Sequence, residues 1–593
     1  MLPIFLVIVL GAAKEVNEVK SIGSVLDEKI PIQSIQLTQN SYIYDDKGQL
    51  VSEIISEHEN RRFVPYEQIP DTVKNLYLVS EDQQFFSHLG FDPASMVRAV
   101  FINAKNQSID QGGSTITQQL ARNVYLSHEK TYNRKLSELL YSYQLERNFT
   151  KEEIFESYLN TIYYANGVYG IGSAADYYFS KSLQKLSLAE LAFISTIPNN
   201  PTLYDPIKNF SSTKVRQELL LATLLKHELL EEEKYKQAIQ QPITLKMKKR
   251  VDVYPDYVTY VHEELNKLIT HNDGLRGNEL KDHINQVVSN GIIIHTALNS
   301  SMQKKVTTTI NQQLPFKDVQ GAAVVVNHQT HRIVALTGGK NYQKFSFNRA
   351  YQAYRQPGSA IKPLLDYAPY IDTTGATAKS KISAATFCKV DYCPQNYSGH
   401  SYGNVSLETA LKYSYNTSAV RLLDIVGLKK AFSYLEPFAF EHISVQDDLY
   451  LPAAIGGFTY GVSPLELTNA YSTFATDGVF HKNRAIVKVT DLQGKTLYEW
   501  KDQPVSAWKS STNKEMRTLL TAVVKSGTGK KAQVANSYVG GKTGTSNDYR
   551  DLWFVGMTDQ YTAGVWVGKD KKGTVQSIYN IGPQMLIWKN IME

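Results

Sequence analysis

The hydrophobic pattern of this 593-residue chain changes character partway along, and that change rules out one layered architecture for the whole. From about Pro70 to Gln240 apolar residues recur at helical spacing, as in Lys151 to Leu159 and Leu186 to Thr196. From about Gln320 they gather into short runs split by polar turns, Gly321 to Asn327 with Arg332 to Leu336 and Leu552 to Met557 with Tyr561 to Val567, which is how antiparallel hairpins read. The first block is expected to be all-helical and the second mixed α and β. A chain this long exceeds one hydrophobic core in any case. Ahead of the helical block, Ser41 to Leu50 reads as a hairpin turning at Asp46 to Gly48. Between the blocks lies a joint, with a basic cluster (Lys246, Lys248, Lys249, Arg250) read as a solvated face, a helical stretch, and a strand at Gly291 to Leu298.

Composition supports folded domains, with 42% hydrophobic and 20% charged residues. The 63 Lys+Arg against 57 Asp+Glu give a charge of +6, too mild to argue for a nucleic-acid partner and compatible with work beside an anionic membrane. Cys388 and Cys393 leave two readings open, a small disulfide-closed loop in an oxidising compartment or two inert thiols; no second pair at zinc spacing accompanies them. The apolar run Leu2 to Ala13 is shorter than the ~20 residues of a membrane-crossing helix and has no basic residue before it. It reads as the outer half of a membrane helix, with a core helix or strand as the alternative.

Two constellations carry chemistry. In the helical block, Glu81-Asp82 precede the aromatic pair Phe85-Phe86, where burial would raise a carboxyl pKa and suit it to accept a proton near neutrality. Gln111 to Asn123 follows, whose glycines permit a tight backbone and whose Ser114, Thr115, Gln118, Gln119 and Arg122 suit sugar hydroxyls and a phosphate. Lys135 then stands three residues before a second carboxylate, Glu138, with Glu146 beyond it. Singly such groups are ordinary helix-surface ion pairs. In the second block, Ser359-Ala-Ile-Lys362 follows Pro357-Gly358, so that a helix opening at the serine would put both side chains on one face. Ser127/Lys130, Ser182/Lys185 and Ser506/Lys509 match the same spacing. What distinguishes Ser359 is Ser414-Tyr-Asn416 downstream, followed by Lys542-Thr543-Gly544-Thr545.

In order, the first set, closed by Lys151 to Tyr164 and Tyr169-Gly170-Ile171, resembles the five motifs of the peptidoglycan glycosyltransferase family over residues 60 to 205. Arg122 stands where Lys is common there, and Ser142 where Ala is. The second set, with Leu552 to Gly556, resembles the penicillin-recognising serine acyltransferases over residues 320 to 590. Joined, they resemble a class A penicillin-binding protein.

The resemblance implies a multidomain fold: an all-α lysozyme-like glycosyltransferase domain at 61–240, a small α/β linker at 241–318, and an α/β, serine β-lactamase-like transpeptidase domain with an antiparallel sheet at 319–593, after a truncated anchor at 1–13 and a strand and turn segment at 14–60. It implies Glu81 as general base for a sugar 4-hydroxyl that displaces a lipid diphosphate with inversion. Glu138, Arg122 and Lys135 would handle the leaving group, with room for a divalent cation (Mg or Mn), and the two carboxylates should stand farther apart than the ~5–5.5 Å of retaining glycosidases.

For the second site it implies Ser359 as nucleophile, Lys362 as its base, Ser414 as proton relay and Asn416 as orienter. Lys542 and Thr543 would hold the substrate carboxylate, Gly544 would leave room for an extended peptide, and the N–H groups of Ser359 and Thr545 would form the oxyanion hole. Lys362 would then have to be lowered by roughly three units, about 4 kcal/mol, by burial and by Lys542. No cofactor is implied for transpeptidation. The partners implied are lipid II and the growing glycan strand, D-Ala-D-Ala stem peptides, β-lactams, the membrane and cell-wall scaffold proteins, for a single-pass protein of the bacterial plasma membrane with both catalytic domains outside the cytoplasm.

Three rivals are weaker. A class A β-lactamase would carry Glu-x-x-Leu-Asn between the last two serine-site elements, and its one match, Glu156 to Asn160, precedes Ser359; carboxypeptidase side activity stays open. A non-catalytic antibiotic receptor would not need Glu81 and Glu138. A lysozyme-like hydrolase using Glu81 as acid would yield fragments from lipid-linked disaccharide where a synthase yields polymer.

Overall fold

The computed structural model describes residues 27, 28, 30, 32, 34, 35, 37–55, 60–92, 114–126, 132–249, 251–389, 391–444 and 448–593. The run Leu2 to Ala13 lies outside them, as do Gln111 to Gly113. Among the described residues no helix is long and apolar enough to cross a membrane. The chain forms two compact units, one from 54–250, 285–292 and the residues before 42, the other from 42–53, 251–284 and 293–593. The joint expected at 241–318 is thus shared between both.

The first unit is helical. Its helices α1 (Asp71–Glu81), α2 (Ile116–Tyr125), α3 (Tyr132–Asn148) and α4 (Lys151–Thr161) are followed by further helices at Ile171–Phe179, Leu188–Ser195 and Phe210–Lys226. Their starts are written locally. Thr115 with Gln118, Thr150 with Glu153 and Ser187 with Glu190 each close a reciprocal capping box that satisfies two N–H groups at a helix start. Val73, Leu76 and Tyr77 of α1, at helical spacing, share a core with Ile116, Leu120, Leu145, Phe155 and Leu159. Each fully buried Leu or Phe contributes about 1.5–3 kcal/mol relative to exposure. Lys246 and Lys248 run as extended chain beside Ile171–Phe179, their N–H groups donating to Tyr178 O at 2.8 Å and Tyr177 O at 2.9 Å.

The second unit is built on an antiparallel sheet of β1 (Gln320–Asn327), β2 (Arg332–Thr337), β3 (Gly540–Thr545), β4 (Asp551–Met557) and β5 (Tyr561–Gly568), in the order β3-β4-β5-β1-β2. The two expected hairpins are β1-β2 and β4-β5, and β3 is an edge strand. The unit's helices include α5 (Pro255–Asp273), α6 (Asn416–Val426), α7 (Ser510–Ser526) and α8 (Pro583–Met592). On one sheet face Trp588 of α8 meets Phe554 edge-on at 5.2 Å between centroids. On the other, the Trp553 indole N–H donates to Gln356 O at 2.9 Å, just ahead of Ser359. A second sheet pairs Ser41–Tyr44 in parallel with Ile292–Thr296 and carries the expected hairpin, where Asp45 Oδ1 accepts from Lys47 N at 3.0 Å and Gln49 N at 2.8 Å.

Candidate active sites

In the helical unit α1 ends at Glu81, which is half-buried and accepts a hydrogen bond from Gln119 Nε2 of α2 at 3.1 Å. The Tyr158 hydroxyl of α4 donates to Gln119 Oε1 at 3.4 Å, which turns the amide nitrogen toward Glu81. The buried acid of the pair is the neighbour. Asp82 accepts from Ile116 N at 3.0 Å and meets His88 Nε2 at 2.9 Å. Of the two acids beside the aromatics, burial thus falls on Asp82. Ser114, Lys135 and Glu138 come together as expected from their types, with Lys135 Nζ donating to Ser114 Oγ at 3.0 Å and to Glu138 Oε2 at 2.9 Å. Glu138 is buried while its lysine is 40% exposed, so the ammonium keeps an outward face. Arg122 makes neither hydrogen bond nor ion pair among the described residues, which leaves its guanidinium available to a ligand. Glu81 and Glu138 are held by different partners.

Thr115 and Gln118 are corrected. Both are buried, the Thr115 hydroxyl accepts from Gln118 N at 3.1 Å and donates to Gly90 O at 2.7 Å, and Gln118 Oε1 accepts from Thr115 N at 3.1 Å, so these oxygens hold the start of α2 and both side chains are withdrawn from the surface. Glu146 ties the motifs together instead. It accepts from the Thr117 hydroxyl at 2.6 Å and from Lys151 Nζ at 2.8 Å, while Lys151 also donates to His88 O at 2.7 Å. Lys135 already lies against Glu138, and among the described residues no three His, Cys, Asp or Glu come together to hold a metal.

In the second unit Ser359, Ser414, Asn416, Thr543 and Thr545 line one cleft of about 480 Å³. The segment carrying the serine is not the expected regular helix. Gly358–Ile361 is a 3₁₀ turn and Pro363–Tyr367 a π turn. Proline explains the first, because Pro363 has no N–H to give Ser359 O, and Lys362 N donates to it instead. Gly358 and Gly544 let β3 lie against this turn. A Cβ on Gly358 would come within 2.4 Å of Thr545 O, and one on Gly544 within 2.2 Å of Pro357 O. The room at Gly544 is therefore filled by the serine turn, which corrects its assignment to substrate.

Lys362 is fully buried, and its amine donates to Asn416 Oδ1 at 2.7 Å, Ser414 O at 2.8 Å and Ser414 Oγ at 3.2 Å. Lys542, also fully buried, donates to Ser414 Oγ at 3.0 Å and Thr543 O at 2.9 Å. Ser414 Oγ therefore bridges the two amines. Burial pushes Lys362 down to about 7. Burial and then the charge of Lys362 hold Lys542 well below the usual lysine range. The expected Ser359–Lys362 hydrogen bond is absent: all three ammonium protons are committed to Ser414 and Asn416, and the Ser359 hydroxyl lines the cleft. Ser414 has φ 59°, left-handed backbone that costs a serine on the order of 1 kcal/mol and aims its carbonyl at Lys362.

Asn416 is positioned by residues that no motif announced. Cys388 and Cys393 are bridged, and just beyond them Gln395 O accepts from Asn416 Nδ2 at 2.7 Å while Asn396 Oδ1 accepts from Asn416 N at 2.9 Å. Thr528 Oγ1 lies 2.9 Å from Thr543 Oγ1, and Tyr397, Tyr549 and Tyr579 wall the cleft.

Comparison with known proteins agrees with this division. The family model described as Transglycosylase matches residues 47–225, and that described as Penicillin binding protein transpeptidase domain matches 321–592. The chain is 54% identical over 607 residues to penicillin-binding protein 4 of Bacillus subtilis (strain 168), covering 100% of this chain and 97% of that protein. It is 33% identical over 635 residues to penicillin-binding protein 1A of Aquifex aeolicus (strain VF5), covering 94% and 86%. The crystal structure of penicillin-binding protein 1A from Haemophilus influenzae shares the fold, with a TM-score of 0.63 at 18% identity over 94% of this chain and 92% of that one. With both catalytic regions in one polypeptide and relatives matching along nearly their whole length, the chain belongs to the class A penicillin-binding proteins, enzymes that join a peptidoglycan glycosyltransferase to a serine-type transpeptidase.

Proposed function

We propose that the helical site polymerises lipid II with inversion, that the cleft site cross-links stem peptides at D-Ala-D-Ala through an acyl-serine, and that penicillin acylates the same serine. The observation that carries the reading is the buried line Lys362–Ser414–Lys542 beside Ser359 in an open cleft. An amine lowered to about 7 is neutral in a large share of molecules at physiological pH. On losing a proton it has two donors left for three acceptors, Asn416 Oδ1, Ser414 O and Ser414 Oγ, so one of them is released. The freed lone pair then takes the proton of Ser359 once the amine rotates toward it. Ser359 Oγ attacks the donor carbonyl, and the peptide C–N bond breaks. Ser414, between both amines, passes a proton to the departing D-Ala nitrogen. The acceptor amine then attacks the ester and regenerates the serine; water in its place gives carboxypeptidase turnover.

At the first site Glu81, oriented by Gln119, removes the proton of the attacking sugar hydroxyl, while Lys135, Ser114 and Arg122 meet the diphosphate whose charge grows as the anomeric bond breaks. Glu138 holds Lys135 in place. The N-terminal apolar run anchors the chain in the plasma membrane, with both units outside the cytoplasm near their lipid-linked and peptide substrates. The test is to incubate the protein with labelled penicillin and map the adduct. It is expected on Ser359, in the tryptic peptide 356–379, and an adduct elsewhere, or one surviving in Ser359→Ala, overturns the assignment.

A further inference from the structure

A second cavity, of about 350 Å³, shares no lining residue with the transpeptidase cleft. Four permanent cations line it, Arg332, Lys482, Arg484 and Lys501, against one carboxylate, Asp502. That acid is engaged, meeting His481 Nδ1 at 2.6 Å. The buried acid Glu264 is engaged too, accepting from Ala485 N at 2.8 Å, Ile486 N at 2.9 Å and the Trp500 indole at 3.1 Å. Arg332 donates to a carbonyl, Ile486 O, at 2.9 Å, and Arg484 lies 3.7 Å over the Trp500 ring; among the described residues neither guanidinium forms a salt bridge. His331 and His481 stack face to face at 3.6 Å, an arrangement two charged rings would not tolerate, so the excess charge rests on the lysines and arginines. Desolvation and then the adjacent Arg484 hold the pKa of Lys482 down, although its side chain keeps an exposed face. An anion entering the cavity would offset that like-charge repulsion.

We propose that this cavity is a binding site for a phosphate group. Two guanidiniums and two ammonium groups around one opening match a multiply charged oxyanion better than a single carboxylate, because each planar fork presents paired donors to phosphate oxygens. The volume admits a phosphate with a sugar-sized substituent. The phosphate can come from a soluble molecule or from a lipid headgroup, and one assay separates them.

Trp500 reports occupancy, since a phosphate drawing Arg484 off its ring changes its fluorescence. The full chain is titrated with sodium pyrophosphate at constant ionic strength, with Trp500→Phe as the blank that removes the signals of the other tryptophans and of pyrophosphate held in the glycosyltransferase site. The expected result is a saturable change, weakened at least tenfold in Arg332→Gln/Arg484→Gln and, should that variant lose its near-ultraviolet dichroism, in the exposed pair Lys482→Gln/Lys501→Gln. Phosphatidylglycerol vesicles, set against phosphatidylcholine, are then added. A matching Trp500 change that the same variants abolish assigns the phosphate to a lipid, and its absence beside pyrophosphate binding assigns it to a soluble ligand. No saturable pyrophosphate signal, or one that survives both variants, overturns the proposal.

Discussion

The pH dependence of serine acylation follows from one buried amine. Lys362 is fully buried, and burial lowers its pKa to about 7 from an ordinary 10.5. The neutral, base-competent fraction then rises from about one in eleven at pH 6 to about ten in eleven at pH 8, roughly a tenfold gain that levels off above pH 8. An amine left at 10.5 would instead gain about a hundredfold between pH 6 and 8 and keep climbing. The assay is the second-order rate of labelling by a fluorescent penicillin from pH 5.5 to 9 at constant ionic strength. A logarithmic rate that climbs one decade per pH unit through pH 9, or one flat across the range, refutes the assignment of Lys362 as base. The same burial sets a stability trend. Unfolded Lys362 binds a proton that the folded group refuses between pH 7 and 10.5, so stability from this group rises with pH across that window by about 4–5 kcal/mol, and its cost is complete below pH 7.

Other perturbations test the surroundings. Gly544→Ala would drive a Cβ to 2.2 Å from Pro357 O, so a loss of about 1–3 kcal/mol by thermal unfolding and slower penicillin labelling are expected, with polymerisation retained. Opening the Cys388–Cys393 loop with a double Ser substitution should cost about 2 kcal/mol and loosen Gln395 and Asn396 from Asn416, read as a lower melting temperature and slower acylation; unchanged acylation would show that the loop does not position Asn416. Asp366 is fully buried one turn beyond Lys362, neither carboxyl oxygen has a hydrogen-bond partner among the described residues, and burial raises its pKa well above the carboxylate range. Asp366→Leu should be neutral or stabilising by about 1–2 kcal/mol, because it removes a buried carboxyl that makes no hydrogen bond, and should leave the acylation profile in place, because a protonated carboxyl carries no charge to act on Lys362; a profile moved by a full pH unit contradicts this.

What the sequence made legible was local or carried by side-chain type. Hairpin alternation announced β1-β2 and β4-β5, and the pairing of Lys135 with Glu138 is a one-turn contact that helical spacing alone foretells. The failures share a cause, which is that one residue type serves two purposes. Thr115 and Gln118 suit sugar hydroxyls and also suit a capping box, and the helix start claims them. Glu81 and Asp82 are adjacent acids, and only the end of α1 decides which is buried. Ser-x-x-Lys by itself points to a helix, and Pro363, whose missing N–H tightens the turn, overrides it. Asn396 left no signal at all, since it reaches Asn416 across twenty residues through a loop whose two cysteines allowed a bridge without requiring one.

The central claim is that one polypeptide activates hydroxyl groups at two separate sites, by a carboxylate in the helical unit and by a lysine in the cleft. The most direct measurement is product analysis of lipid II incubated with the full chain, Glu81→Gln and Ser359→Ala. The expected result is cross-linked glycan from the first, no polymer but intact penicillin labelling from the second, and long uncross-linked strands without labelling from the third. Polymer from Glu81→Gln, or cross-links from Ser359→Ala, would contradict it.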